Sequence, residues 1–315
     1  MPLLKVNAAG ERPDLSEPAD LDAALARELA ALPAEAPVVI LIHGYKFSPA
    51  TPHANPHTHI LSLTPRKDCW KAISWPRHLG FGKGQADEGL CIAFGWEARG
   101  TIWQAWDRAE SAGTALADLV RRIRGLRPGP VDVLAHSLGA RVVLAAMARL
   151  PARSIGRAVL LAAAEFRSRA ARAIDTPAGR SAEVINITSR ENDLFDVLVE
   201  WLVRAPESGD PALGAGLGRT ARNWLDVQMD CADTRRVLCD FGYRIPAPQK
   251  RICHWSAYLR PGLFALYSDL IRDRHALPLA CLRQMLPDQT APRWSRLLQV
   301  PQPRLPLPFV RNASL

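Results

Sequence analysis

Five short runs along the chain are mostly apolar on both faces: 38–42 (VVILI), 90–94 (LCIAF), 131–134 (VDVL), 158–162 (AVLLA) and 184–187 (VINI). Runs of this kind mark strands buried on both faces. Between them the apolar period changes to that of a helix. From Ile102 to about Arg124, residues Ile102, Trp106, Ala109, Leu116 and Val120 share one side, and 138–150 is apolar almost all round, which predicts a central, deeply packed helix. Strands alternating with helices predict an α/β protein with a mostly parallel sheet.

Two segments are too long to be simple connections: 45–89, rich in Pro, His and Gly, and 197–250, with Gly-rich turns around 214–218. Excursions of this length from an α/β core usually lie beside a site. The ends differ from the middle. Residues 7–19 are polar and carry Pro13 and Pro18, and 301–315 carries Pro301, Pro303, Pro306 and Pro308, so both are expected to be poorly ordered or extended. The organisation expected is an N-terminal strand/helix lead-in over 1–35, a main α/β domain over 36–275 with insertions at about 45–89 and 197–250, and a C-terminal helix with a Pro-rich tail over 276–315.

With 48% apolar and 23% charged residues among 315, the chain has a globular balance. Its longest uninterrupted apolar stretches fall far short of the roughly 18 to 20 residues that span a bilayer, so no transmembrane segment is expected. The start, MPLLKVN, meets the polar 11–14 before any apolar run develops and lacks a secretory core, which points to a cytoplasmic protein. Six cysteines (Cys69, Cys91, Cys231, Cys239, Cys253, Cys281) lack C-x-x-C spacing, so reduced thiols are expected rather than a disulfide frame or zinc site. The net charge of +9 is carried by arginines interleaved with Asp and Glu along the whole chain; no nucleic-acid partner is inferred from it.

The strongest chemical signal is 131–144, VDVLAHSLGARVVL. A strand runs into a serine flanked two residues away on each side by a small residue, and a helix follows at once. Such a turn lifts Ser137 above the carboxyl end of the sheet, with the helix amides and positive dipole end directed at the same point. Here the chain resembles the α/β-hydrolase superfamily, whose nucleophile elbow is G-x-S-x-G, with Ala135 in place of the first glycine. The resemblance implies an α/β-hydrolase fold: a mostly parallel central sheet, helices on both faces and insertions near the active site. It also gives meaning to His43-Gly44-Tyr45 after the first buried strand, where the family's oxyanion loop begins. The backbone N–H groups of Tyr45 and Leu138 are then the expected oxyanion hole.

In the family's order of nucleophile, acid and histidine, the base follows Ser137, leaving His254 and His275; His254, ahead of a terminal helix, is preferred over His275 in its charged stretch. His136 is read as a structural residue of the elbow. The acid is assigned to Asp193, in a strand-plus-S-x-x-D loop, with Asp196 and Glu165 as competitors. His53, His57 and His59 could ligate a metal, but no carboxylate or cysteine accompanies them at a recognised spacing; they are read as a loop lining the site entrance. Residues 96–99 (WEAR) are read as a loop with an internal ion pair, and 194–203 as a core helix or an acyl-chain wall, core preferred. The expected activity is hydrolysis of carboxylic esters of small-molecule substrates by Ser137, His254 and Asp193, without cofactor or metal. The same constellation handles thioesters and amides, and the rival class is a non-catalytic scaffold binding an acidic partner.

Overall fold

A computed structural model describes residues 3–85, 87–273, 276–287 and 291–298. Eight strands form one sheet: β1 (Leu3–Ala9), β2 (Arg12–Leu15), β3 (Val38–Ile42), β4 (Leu90–Gly95), β5 (Val131–His136), β6 (Ile155–Leu161), β7 (Glu183–Thr188) and β8 (Trp224–Gln228). Their order is β2-β1-β4-β3-β5-β6-β7-β8, with every pairing parallel except the β1–β2 hairpin. The five runs expected from the sequence are β3 to β7. The others had no expected bounds: β1 and β2 lie in the strand/helix lead-in as a hairpin in which only Val6 and Pro13 are buried, and β8 is a five-residue strand inside what reads as a continuous excursion.

Alternate strand residues feed two cores. Val38, Ile40 and Ile42 face one layer, with α1 (Leu21–Ala30), α3 (Ile102–Leu126), α4 (Leu138–Met147), α5 (Arg167–Ile174) and α6 (Pro177–Ser181). Val39 and Leu41 face the other, with α2 (Trp75–His78), α8 (Ala232–Asp240), α9 (Ser256–Leu259), α10 (Leu263–Arg272) and α11 (Leu279–Met285). Helix α4 is buried on all sides, and Gly113 of α3 lets the two helices meet closely, since a Cβ there would stand 2.5 Å from Ala145 Cβ. Helices α7 (Asp193–Leu202) and α12 (Ser295–Leu298) complete the chain beside the end of β7. Among the described residues no helix is long and apolar enough to cross a membrane.

The chain leaves β3 for β4 on one side and returns to β5 on the other, so the carboxyl ends of β3 and β5 flank a topological switch point. Open α/β sheets form their ligand crevices at such points. Ile42 is registered with Ala135, which brings His43 level with His136 and makes the two following turns meet.

Candidate active site

Ser137 is the single residue between β5 and α4, and its φ of 55° and ψ of −125° are strained for a side-chain-bearing residue. Two glycines make room. A Cβ on Gly44 would stand 2.7 Å from Ser137 Cβ, and one on Gly139 would stand 2.6 Å from the His43 carbonyl oxygen. Backbone bonds hold the turn: Ser137 N–H donates to the Leu161 carbonyl (2.9 Å), and its own carbonyl accepts from Ala140 (3.0 Å) and Ala164 (3.1 Å). Neither the Tyr45 nor the Leu138 backbone N–H donates to an acceptor among the described residues.

His43 secures the neighbouring turn from a fully buried position. Its Nε2 accepts from Trp96 N–H (3.0 Å), its Nδ1 donates to the Gly44 carbonyl (2.9 Å), and its ring stacks on Trp96. Burial drives its pKa down to about 3, so the ring is a neutral strut. His136 is also structural: its Nε2 donates to the His254 carbonyl (3.1 Å), burial lowers its pKa to about 4, and the two imidazoles lie 4.6 Å apart between centroids.

His254 is thus held against His136, the residue that precedes the serine. Its loop is fastened by Cys253 N–H to the Glu191 carbonyl (2.8 Å) and by the buried Glu191–Arg260 ion pair. Phe195 stacks on the imidazole, with centroids 4.6 Å apart and 27° between planes. Burial first, then His136 and Lys71, hold its pKa well below the ordinary histidine value, leaving it a free base at neutral pH. Ser137 Oγ makes no hydrogen bond to a described residue. His275 lies outside the described residues.

The group on His254 Nδ1 is Asn192, not Asp193. Asn192 Oδ1 lies 2.6 Å from Nδ1, and Asn192 Nδ2 donates to Asp196 Oδ1 at 2.9 Å. With the amide nitrogen committed to Asp196, its oxygen faces the ring, so Nδ1 carries the proton and Nε2 is free to act as a base. Asp193 turns away: Oδ1 pairs with Arg190 (3.2 Å) and Oδ2 accepts from Trp294 N–H (2.7 Å). The reason is local. Residues 190–192 form a 3-10 turn ahead of α7, which presents Asn192 to the histidine and sends Asp193 and Asp196 to the helix's inner face. Asp196 is fully enclosed; burial outweighs Arg190 and Arg293 and pushes its pKa up to about 8.

Glu165, the other candidate acid, is committed elsewhere. It pairs with buried Arg141 at 2.6 Å and accepts from Phe166 N–H at 2.8 Å, while the Arg141 guanidinium lies 4.2 Å from the Trp106 ring centroid. Removing one partner of such a pair strands the other. Glu165→Ala is therefore expected to lower stability by about 3 kcal/mol, measured by urea unfolding.

Helix α7 is not the core element its composition suggested. Its buried face carries Asp193, Asp196 and Val197, with Asp193 paired to Arg190 and Asp196 Oδ1 accepting from Asn192, and its exposed face carries Leu194, Leu198, Trp201 and Leu202. Nor do the three loop histidines act together at an entrance. His57 Nε2 meets Asn7 (2.7 Å), His59 Nε2 meets Cys69 Sγ (3.3 Å), both are buried, and His53 meets Arg99 (2.9 Å). Glu97 bonds Ser48 (2.5 Å) and the Arg99 backbone (2.9 Å) in place of an ion pair with the Arg99 side chain. Burial lowers both His57 and His59 to pKa values of about 4. A cavity of about 600 Å³ between β1, β2, α1 and residues 62–64 contains none of the candidate site residues.

Comparison with protein-family models finds no match, and comparison with curated proteins finds none.

Proposed function

We propose that the chain is a serine hydrolase of the α/β-hydrolase type that cleaves carboxylic esters. The observation that carries this reading is Ser137, held at φ 55° between a buried strand and a buried helix, with two backbone N–H groups on the turns around it that meet no acceptor among the described residues. Free donors beside a strained, raised hydroxyl are what an acyl-transfer site needs and what a plain helix cap does not.

In this reading Ser137 Oγ attacks the ester carbonyl as its proton passes to His254 Nε2, and the Tyr45 and Leu138 N–H groups hold the resulting oxyanion. The serine–histidine hydrogen bond forms in the substrate complex. The tetrahedral species collapses, the C–O bond breaks, and His254 returns the proton to the departing alcohol. Water then attacks the acyl-Ser137 carbonyl, His254 takes its proton, and collapse releases the acid while Ser137 regains its hydrogen. Asn192 orients the imidazole throughout.

A series of 4-nitrophenyl esters from acetate to long acyl chains tests the reading. Turnover with a burst of 4-nitrophenol and a chain-length optimum is expected, whereas no hydrolysis above the blank for any member overturns it.

A further inference from the structure

Three of the chain's six lysines, Lys46, Lys71 and Lys250, gather around the candidate site, and none makes an ion pair with a described carboxylate. Lys71 Nζ sits 3.2 Å from the centroid of the Trp255 ring and 5.4 Å from that of Trp70, and Lys250 Nζ lies 5.1 Å from that of Trp70. The two tryptophans meet edge to face at 6.3 Å; Trp255 neighbours both His254 (6.2 Å) and Phe195 (6.3 Å). Trp70 is 63% exposed, so the cluster opens to solvent. Lys46 follows directly on Tyr45, the oxyanion-turn residue, and lies 5.7 Å from the centroid of its ring.

Like charges converging without a counterion repel one another, and a bound anion removes that cost. Lys71 shows the frustration. Burial and the neighbouring Lys250 and Lys46 lower its pKa; the groups acting the other way are the Cys69 and Cys253 thiols, with no carboxylate among them. The tryptophan faces hold the ammonium groups in place but supply no net charge.

We propose that Lys71 and Lys250, braced by Trp255 and Trp70, form a subsite for an anionic group on the substrate, so that the preferred ester carries a carboxylate or phosphate beyond the scissile bond. This rests on the ester-hydrolase reading above and adds the substrate class to it. The same lysines exclude cationic substrates, although the faces of Trp70 and Trp255 would otherwise suit a quaternary ammonium group.

The test pairs two 4-nitrophenyl esters of equal chain length, the monoester of adipic acid and the hexanoate. In the wild type kcat/KM is expected to favour the anionic ester by about tenfold, the scale of two exposed charge pairs acting together. The preference shrinks as salt rises from about 0.05 to 0.5 M. In Lys71→Met/Lys250→Met the ratio falls to about one, while Lys71→Arg/Lys250→Arg keeps it. A wild-type ratio of one, or a ratio unchanged in the double methionine variant, overturns the proposal. A second readout needs no turnover: titration with adipate, and separately with inorganic phosphate, followed by tryptophan fluorescence. Saturable quenching in the wild type that is absent in Lys71→Met/Lys250→Met supports the subsite even if neither ester is hydrolysed, an outcome that would count against the hydrolase reading alone. The ligand that saturates at lower concentration identifies the carboxylate or the phosphate. Absence of quenching by both overturns the subsite.

Discussion

Ser137→Ala is expected to lower kcat for 4-nitrophenyl ester hydrolysis by about three orders of magnitude or more, with circular dichroism and urea midpoint close to wild type. The side chain lost is one hydroxyl with no hydrogen bond to a described residue, so little folding energy goes with it. Alanine also inherits the strained φ of 55°, which the backbone bonds to Leu161, Ala140 and Ala164 maintain. The chemistry has no substitute nucleophile at that point: His136 points to the His254 carbonyl, and the nearby carboxylates are turned away or enclosed. A variant that keeps more than a tenth of the wild-type rate would remove Ser137 from the mechanism.

The second large effect concerns Asn192. Asn192→Ala is expected to reduce kcat at least a hundredfold, because His254 loses the acceptor that keeps its proton on Nδ1 and its lone pair on Nε2. Asn192→Asp is the informative partner. It places a carboxylate against Nδ1, which stabilises the imidazolium and raises the histidine pKa from its lowered value. The base is then protonated, and activity lost, at a higher pH on acidification, so the acidic limb of kcat/KM moves upward while most of the rate is kept. Asp196, already pushed up to about 8, stays protonated beside the new carboxylate at neutral pH. An Asn192→Ala enzyme with the wild-type rate, or an Asn192→Asp profile with an unmoved acidic limb, would contradict the role given to the amide.

How far the sequence reveals this site depends on the reach of each interaction. The elbow is local: a strand, one serine, two small neighbours and a helix occupy consecutive positions, and Gly44 is the other half of the same close approach. The amide on His254 is less visible. Which of Asn192, Asp193 and Asp196 meets the histidine is decided by one 3-10 turn, and a rotation of about a hundred degrees per residue separates the alternatives. The reversal of α7 is invisible in the helix itself, because Arg293, which satisfies Glu200, lies 93 residues away, just ahead of α12. Composition alone read that helix as core. The bounds of the β1–β2 hairpin are hard to read because β1 packs only part of its surface on a core, with Val6 its single fully buried residue. The lysine–tryptophan cluster joins 70–71 to 250–255, a pairing no local pattern foretells.

The most direct test is covalent. A fluorophosphonate reacts with a serine only where a base activates the hydroxyl and donors receive the developing charge, so it reads the whole constellation at once. Incubation of the full chain with such a probe, followed by mass spectrometry of the intact protein and its peptides, is expected to show one adduct, on Ser137, absent from Ser137→Ala and strongly slowed in His254→Ala. A chain that stays unlabelled, or carries the adduct on another residue, would contradict the account.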